Sequence, residues 1–280
     1  MVVVRPTSRG DAVSEYARHP DALVLAGGTD LMVAWNAGLL NRRTVLDLGR
    51  VGEWKRLRRV RSGIRVGALV THAELQRSGL VRARFPLLVR ACAEVGGVAI
   101  QNRGTLAGNV ANASPAGDTL PALAVYEAAV HAVSPAGARS LPLLDVFAGV
   151  KKTTLRSAEL IEAIEIPFLA RRPARQMFRK IGTRAAQALS KVVAAGLLWR
   201  RRDGRIQELR FALGSVAPTV RRLRRVEELV AGQRVTARLL DEAARLTAEE
   251  IAPIDDVRST AAYRRHVSQA LLRQFLSGAA

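Results

Sequence analysis

Between Gln101 and Asp118 the chain carries three glycines, three asparagines, Thr105 and Ser114 within eighteen residues. Such a stretch is too polar to be core and too long to be a simple turn, and loops of this length usually carry function. Its small residues, Gly104, Thr105, Ala107, Gly108 and Ala111, leave room for something flat or extended to lie along the backbone. Asp118, at its end, is a fixed acceptor suited to a ribose hydroxyl. A shorter glycine segment, Leu25-Ala26-Gly27-Gly28-Thr29-Asp30-Leu31, precedes it by about seventy residues and reads as strand, glycine pair and helix start. Glycines there admit close backbone approach, amides at a helix N-terminus favour an anion, and Thr29 adds a hydroxyl. Each segment also has a plain reading: a strand–helix turn for the first, an ornate structural loop for the second. Neither is G-x-G-x-x-G, and no G-x-x-x-x-G-K-[ST] occurs, which argues against a Rossmann dinucleotide site and a P-loop ATPase.

The elements around these segments follow from periodicity. Val2–Val4 is a strand, and Ala12, Val13, Tyr16 and Ala17 mark a helix capped by Thr7 or Ser8. Leu23–Ala26 is a short buried strand, Leu31 to Trp35 a helix closed by Gly38, and Thr44–Leu48 another strand. Ile64–Ala68 alternates as a strand. Thr71-His72-Ala73-Glu74 matches a capping box, and a helix runs from Phe85 to Val95. Ala129–Val133 and Leu160–Ile166 are strand-like, the latter ending at Pro167. Val192–Trp199 and Ile206–Leu213 flank Asp203-Gly204, a hairpin signal. Two amphipathic helices follow, one with Leu239, Leu240, Ala243, Ala244 and Leu246 on its face, the other with Tyr263, Val267, Ala270, Leu271 and Phe275. The fold expected is α+β: a two-part α/β domain over 1–172, divided near residue 55, then a small antiparallel sheet with helices over 173–280.

Composition narrows the function. Cys92 is the one cysteine, so the chain cannot by itself form a disulfide, a cysteine zinc site or an iron–sulfur cluster. No apolar run reaches the ~18 residues that span a bilayer, and the apolar start is too short for a secretory signal, so a cytoplasmic protein is expected. Lys and Arg total 44 against 24 acids, a net +20, and only five of the bases are lysine. The basic runs contain no aromatics to stack bases, which favours scattered surface charge and acidic protein partners over nucleic acid. His19, His72, His131 and His266 have no ligand spacing, and nothing resembles a hydrolytic triad. His72 and Cys92 read as structural.

Taken together, Ala26 to Leu31, Asn102 to Asn109 and Ala113-Ser114-Pro115-Ala116-Gly117-Asp118 resemble the FAD-binding medium subunit of molybdenum hydroxylases, the carbon monoxide dehydrogenase and xanthine dehydrogenase flavoprotein family. The resemblance covers the whole chain. Phe178-Arg179-Lys180-Ile181-Gly182-Thr183-Arg184, Lys191-Val192 and the run from Asp255 to Arg264 look like motifs of that family's C-terminal domain. It implies an FAD domain of the vanillyl-alcohol-oxidase type holding FAD non-covalently. By that resemblance Val24, Leu25, Ala26, Gly27, Gly28, Thr29, Asp30 and Leu31, with Thr105, Leu106, Ala107, Gly108 and Asn109, wrap the pyrophosphate. Asp118 binds the adenosine ribose side, and Ile161 and Lys180 contact the flavin. Ala107 stands where the family more often has glycine, and its methyl narrows the approach. The resemblance further implies partners: a small subunit with two [2Fe–2S] clusters and a large molybdopterin subunit, in a dimer of heterotrimers. Electrons would reach FAD from the clusters and leave to NAD⁺, a quinone or O₂. A stand-alone FAD oxidoreductase of the same fold is the alternative, and it needs a substrate base that the sequence does not offer.

Overall fold

A computed structural model describes residues 2–40, 43–184 and 187–278. Strand β1 (Val2–Val4), helix α1 (Arg9–Arg18), β2 (Leu23–Leu25), α2 (Leu31–Asn36) and β3 (Thr44–Asp47) make a parallel three-stranded sheet in the order β1-β3-β2. Ser8 caps α1, its side chain accepting from the Asp11 amide at 3.1 Å. Contrary to the expectation of a buried strand, β2 is a sheet edge, and Val24 is 37% exposed. Helix α2 likewise lies on the surface with no side chain buried.

The middle of the chain builds a second, antiparallel sheet. Its strands are β4 (Leu57–Arg59), β5 (Gly63–Gly67), β6 (Ala129–Ser134), β7 (Gly137–Pro142) and, after a small hairpin of β8 (Phe147–Gly149) and β9 (Lys152–Thr153), β10 (Leu160–Pro167). The order is β4-β5-β10-β6-β7. Between β5 and β6 run six short helices: α3 (His72–Arg77), α4 (Gly79–Arg84), α5 (Pro86–Ala93), α6 (Val98–Gln101), α7 (Leu106–Ala111) and α8 (Leu120–Val125). The capping box is present as expected, the Thr71 and Glu74 side chains each accepting the other's amide. Cys92 is fully buried in α5. The glycine–asparagine stretch is not the open loop its polarity implied. Leu106, Ala107 and Val110 turn inward and join the core, which pulls residues 106–111 into helix despite two weak helix formers, Gly108 and Asn109.

Strands β11 (Arg175–Ile181), β12 (Val192–Arg200), β13 (Ile206–Gly214) and β14 (Arg221–Arg222) form the third sheet, followed by α9 (Arg224–Val230), α10 (Ala237–Glu250) and α11 (Ala261–Ser277). The β12–β13 hairpin turns through Gly204 at φ +82°, the left-handed conformation that Asp-Gly signals. Strand β12 reads as one apolar run because both its faces are covered. Val193, Ala195, Leu197 and Trp199 join the core of the first two sheets, while Val192, Ala194 and Leu198 face the C-terminal helices. Gly196 is required between them: a Cβ there would lie 2.7 Å from the Phe275 ring. On α11 the buried stripe is Arg264, Ser268, Leu271, Leu272, Phe275 and Leu276, so the expected face is rotated and Tyr263 and Ala270 point outward.

Not all the arginines are surface charge. Arg222 and Glu227 are each 8% exposed and form an ion pair. Glu227 also accepts the Phe211 amide at 2.8 Å, and Arg222 donates to the Ala124 carbonyl at 3.2 Å, tying the third sheet to α8. Desolvation pushes Glu227 up and Arg222 down, with their mutual attraction opposing both shifts. Breaking such a pair costs more than replacing it. Arg222→Met should cost about 3–5 kcal/mol in urea unfolding, and adding Glu227→Leu should recover part of that loss, the Phe211 amide then lacking its acceptor.

Candidate functional site

The two glycine segments meet backbone to backbone. A Cβ on Gly27 would sit 2.7 Å from the Arg103 carbonyl carbon and 3.0 Å from the Gly104 Cα. A Cβ on Gly104 would be 3.2 Å from Thr29 Oγ1 and 3.3 Å from the His72 ring. Side chains reinforce the contact: Asn112 donates to Asp30 Oδ1 at 3.1 Å, and Lys151 reaches the same carboxylate at 3.4 Å. Gly28 has φ +78°, which favours glycine, and its missing Cβ would face Leu25 and Met32 within the chain.

This junction presents donors. Among the described residues, the amides of Gly28, Thr29, Asp30 and Leu31 have no acceptor in the chain, while the next amide, Met32, donates to the Gly28 carbonyl at 2.9 Å. Four consecutive unengaged donors suit an anion with several oxygens, such as a pyrophosphate. The second segment contributes fewer. The Leu106 amide is taken by the Val70 carbonyl at 3.2 Å, that of Gly108 by Thr105 Oγ1 at 2.9 Å and that of Asn109 by the Thr105 carbonyl at 3.0 Å. The amides of Thr105 and Ala107 are left unengaged among the described residues. The Ala107 methyl does not narrow the approach as expected, because its side chain is in the core.

Asp118 and Lys180 form a second cluster. Lys180 Nζ donates to Asp118 Oδ2 and to the Glu94 carbonyl, both at 2.7 Å, and its side chain is 6% exposed. Asp118 Oδ1 is buried with no donor. Desolvation pushes the Asp118 carboxyl up to about 6, outweighing the Lys180 ammonium that pulls it down. An orphaned, desolvated carboxylate oxygen is what a hydroxyl donor from a ligand would satisfy. The pairing also bears on the roles drawn from the resemblance: residues 2.7 Å apart cannot serve opposite ends of FAD, one at the adenosine ribose and one at the flavin.

The two clusters are linked by a residue that the sequence reading missed. The Thr119 hydroxyl, next to Asp118, donates to Asn109 Oδ1 at 2.6 Å. Ile161 lies buried at the bulge of β10, the strand against which α7 packs, and is bonded to neither cluster. His72, expected to be structural, is buried behind Gly104. Its amide donates to the Gly104 carbonyl at 3.0 Å, and burial lowers its imidazole to about 4, so the ring is neutral. The capping box was the signal that fixed its position. Nothing local signals Thr119 or the Glu94 carbonyl.

The family model described as the FAD binding domain in molybdopterin dehydrogenase matches residues 1–169, and that of the CO dehydrogenase flavoprotein C-terminal domain matches 177–279. The glyceraldehyde dehydrogenase medium chain of Sulfolobus acidocaldarius is 29% identical over 269 residues, 96% of this chain and 94% of that one. The carbon monoxide dehydrogenase medium chain of Hydrogenophaga pseudoflava is 28% identical over 279 residues, 98% and 95% of the two chains. Among solved structures, a Cu,Mo-CO dehydrogenase superposes with a TM-score of 0.93 at 26% identity, covering 99% of this chain and 96% of that one. Quinoline 2-oxidoreductase from Pseudomonas putida gives 0.91 at 27%, covering 100% and 96%.

Proposed function

The chain belongs to the FAD-binding flavoprotein family of molybdopterin dehydrogenases, and from that premise we propose that it takes electrons from [2Fe–2S] clusters of a small partner subunit and passes them to an external acceptor, NAD⁺, a quinone or O₂. It is the FAD-binding subunit of a multi-subunit oxidoreductase of the molybdenum hydroxylase type, with its molybdopterin and iron–sulfur centres on other chains. When bound, FAD supplies the uptake and release of electrons; the protein supplies binding, orientation and electrostatics. The four unengaged amides from Gly28 to Leu31 carry the reading, since they offer a backbone cradle for the pyrophosphate. Gly27 and Gly104 hold that cradle closed, with Val24 to Ala26 leading into it, and Thr105 to Asn109 form its other wall. Asp118 accepts a hydroxyl of the cofactor, Lys180 fixes that carboxylate, and Ile161, on the strand against which α7 packs, offers the flavin an apolar contact. In this reading Asp118 and Lys180 serve one part of FAD.

The need for partners follows from the single cysteine, because a cluster takes about four thiolates. A dimer of heterotrimers in the cytoplasm, and a domain division near residue 172, belong to the same proposal. Among the described residues, no helix is long and apolar enough to cross a membrane. Neither glycine segment contains a His or Cys to attach flavin covalently. The isolated chain should therefore bind FAD, release all yellow colour into a trichloroacetic acid supernatant, and show no flavin reduction with organic substrates. Reduction at a catalytic rate by the isolated chain would favour a stand-alone oxidoreductase instead.

A further inference from the structure

We propose that Thr119 is a positioning residue for the cofactor: its buried hydroxyl holds the Asn109 carboxamide with the nitrogen turned out, as a side-chain donor to the pyrophosphate. This rests on the reading that the two glycine segments cradle FAD. Threonine opens several helices of the chain, and Thr71, Thr105, Thr236 and Thr260 each accept an amide of the helix they precede. Thr119 opens α8, yet its side chain caps nothing. Pro121 removes one of the two amides that a cap oxygen can accept, and the hydroxyl turns instead to Asn109 on α7. A local stabilising contact is forgone for one between two helices.

That bond orients the amide. At 2.6 Å it has the length of O–H···O and is too short for N–H···O, so the Asn109 atom facing Thr119 is the oxygen. The nitrogen, with two N–H donors, therefore points the other way. Among the described residues it has no acceptor, and it is not sealed inside the protein. Asn112, by contrast, spends its nitrogen on Asp30. An unheld carboxamide presents either atom to a ligand, and its oxygen would repel a phosphate; the Thr119 bond removes that orientation. The holder is rigid. Thr119 has no exposed surface, every side chain of α8 is buried, and α8 packs against β12 and β13. The preceding residue completes the pattern, since Asp118 offers the unpartnered acceptor Oδ1 while Lys180 holds its other oxygen at 2.7 Å. Residues 118 and 119 thus set one acceptor and, through Asn109, one donor. A phosphate oxygen with a sugar hydroxyl beside it matches that pair.

The test is a double-mutant cycle on the full chain, freed of cofactor and titrated with FAD by fluorescence, with circular dichroism to check folding. Thr119→Val should weaken FAD about three- to tenfold, and Thr119→Ser, which restores the hydroxyl, should recover most of the loss. In an Asn109→Ala background Thr119→Val should cost nothing further, because its effect passes through the amide. Asn109→Asp keeps an oxygen for Thr119 and puts a second acceptor in place of the donor. It should weaken FAD about tenfold or more, beyond Asn109→Ala, and it tests the orientation even if Thr119→Val does not fold. The phosphorus NMR signals of bound FAD should move in Thr119→Val and Asn109→Ala alike, which a purely structural role would not produce. Wild-type affinity in Thr119→Val, the same loss with Asn109 already removed, or unmoved phosphorus signals overturns the proposal. So does Asn109→Asp binding FAD no worse than Asn109→Ala. If wild type binds no FAD, the functional reading fails along with it.

Discussion

Gly27→Ala should strip FAD from the subunit. The added methyl meets the backbone of Arg103 and Gly104, not a side chain that could swing aside, so the two glycine segments must separate. Overpacking of this kind costs about 1–3 kcal/mol of stability, but the larger loss falls on the cofactor. A cradle built from both segments loses its geometry when one moves, and an affinity drop on the order of 100-fold, about 2.7 kcal/mol, is expected in a fluorescence titration of the apo chain. Gly28→Ala gives the contrast. At φ +78° the new methyl approaches Leu25 Cδ1 at 3.1 Å, a flexible neighbour, so the cost is mainly backbone strain and FAD should still bind. The sequence treats Gly27 and Gly28 alike as giving room for close approach; the structure separates them, because the space at Gly27 is taken by the Arg103 and Gly104 backbone while that at Gly28 faces the Leu25 and Met32 side chains. Gly27→Ala binding FAD with wild-type affinity would mean that the junction is not the cradle.

That separation shows where sequence reading stops. Signals confined to a few residues were legible: the Ser8 cap, the Thr71–Glu74 capping box, the Asp203-Gly204 hairpin, the alternation of β5 and the apolar run of β10. The glycine segments stood out by composition, and the structure brings the two together backbone to backbone. Contacts between distant segments were not. Nothing near Gly27 announces Arg103, and nothing near Asp118 announces an ion pair with Lys180, 62 residues on. Helix α7 was hidden because Gly108 and Asn109 argue against helix locally, and burial of Leu106 and Val110 overrides them. The face of α11 was misread for the opposite reason. Arg264 and Ser268 look like solvent-facing residues, but Asp256 and the Ser215 carbonyl satisfy Arg264 inside the protein, while Ser268 bonds the Arg264 carbonyl of its own helix.

Asp118 should make FAD affinity depend on pH in a direction opposite to that of apo stability. Its carboxyl titrates near 6 in the folded chain against 3.8 unfolded, because burial disfavours the charged form more than Lys180 favours it. A raised value means that the folded state holds the proton more tightly. Its contribution to stability, about 3 kcal/mol, is fully present below pH 3.8 and is lost as pH rises through about 6. Cofactor binding runs the other way. A hydroxyl donated to Asp118 Oδ1 pairs best with the ionised carboxylate, so affinity should climb up to tenfold per pH unit below about 6 and level off above it. His72 titrates near 4 and so stays out of that window. Asp118→Asn keeps the volume and removes the charge. It should flatten the profile between pH 5 and 8 and lower affinity at pH 8 by about 1.5–3 kcal/mol, the usual worth of a hydrogen bond to a charged group. Titrations of apo wild type and variant across that range, with urea midpoints at each pH, separate the two effects. If affinity and stability fell together towards acid, or if the variant kept the wild-type slope, Asp118 would not be the acceptor of a cofactor hydroxyl.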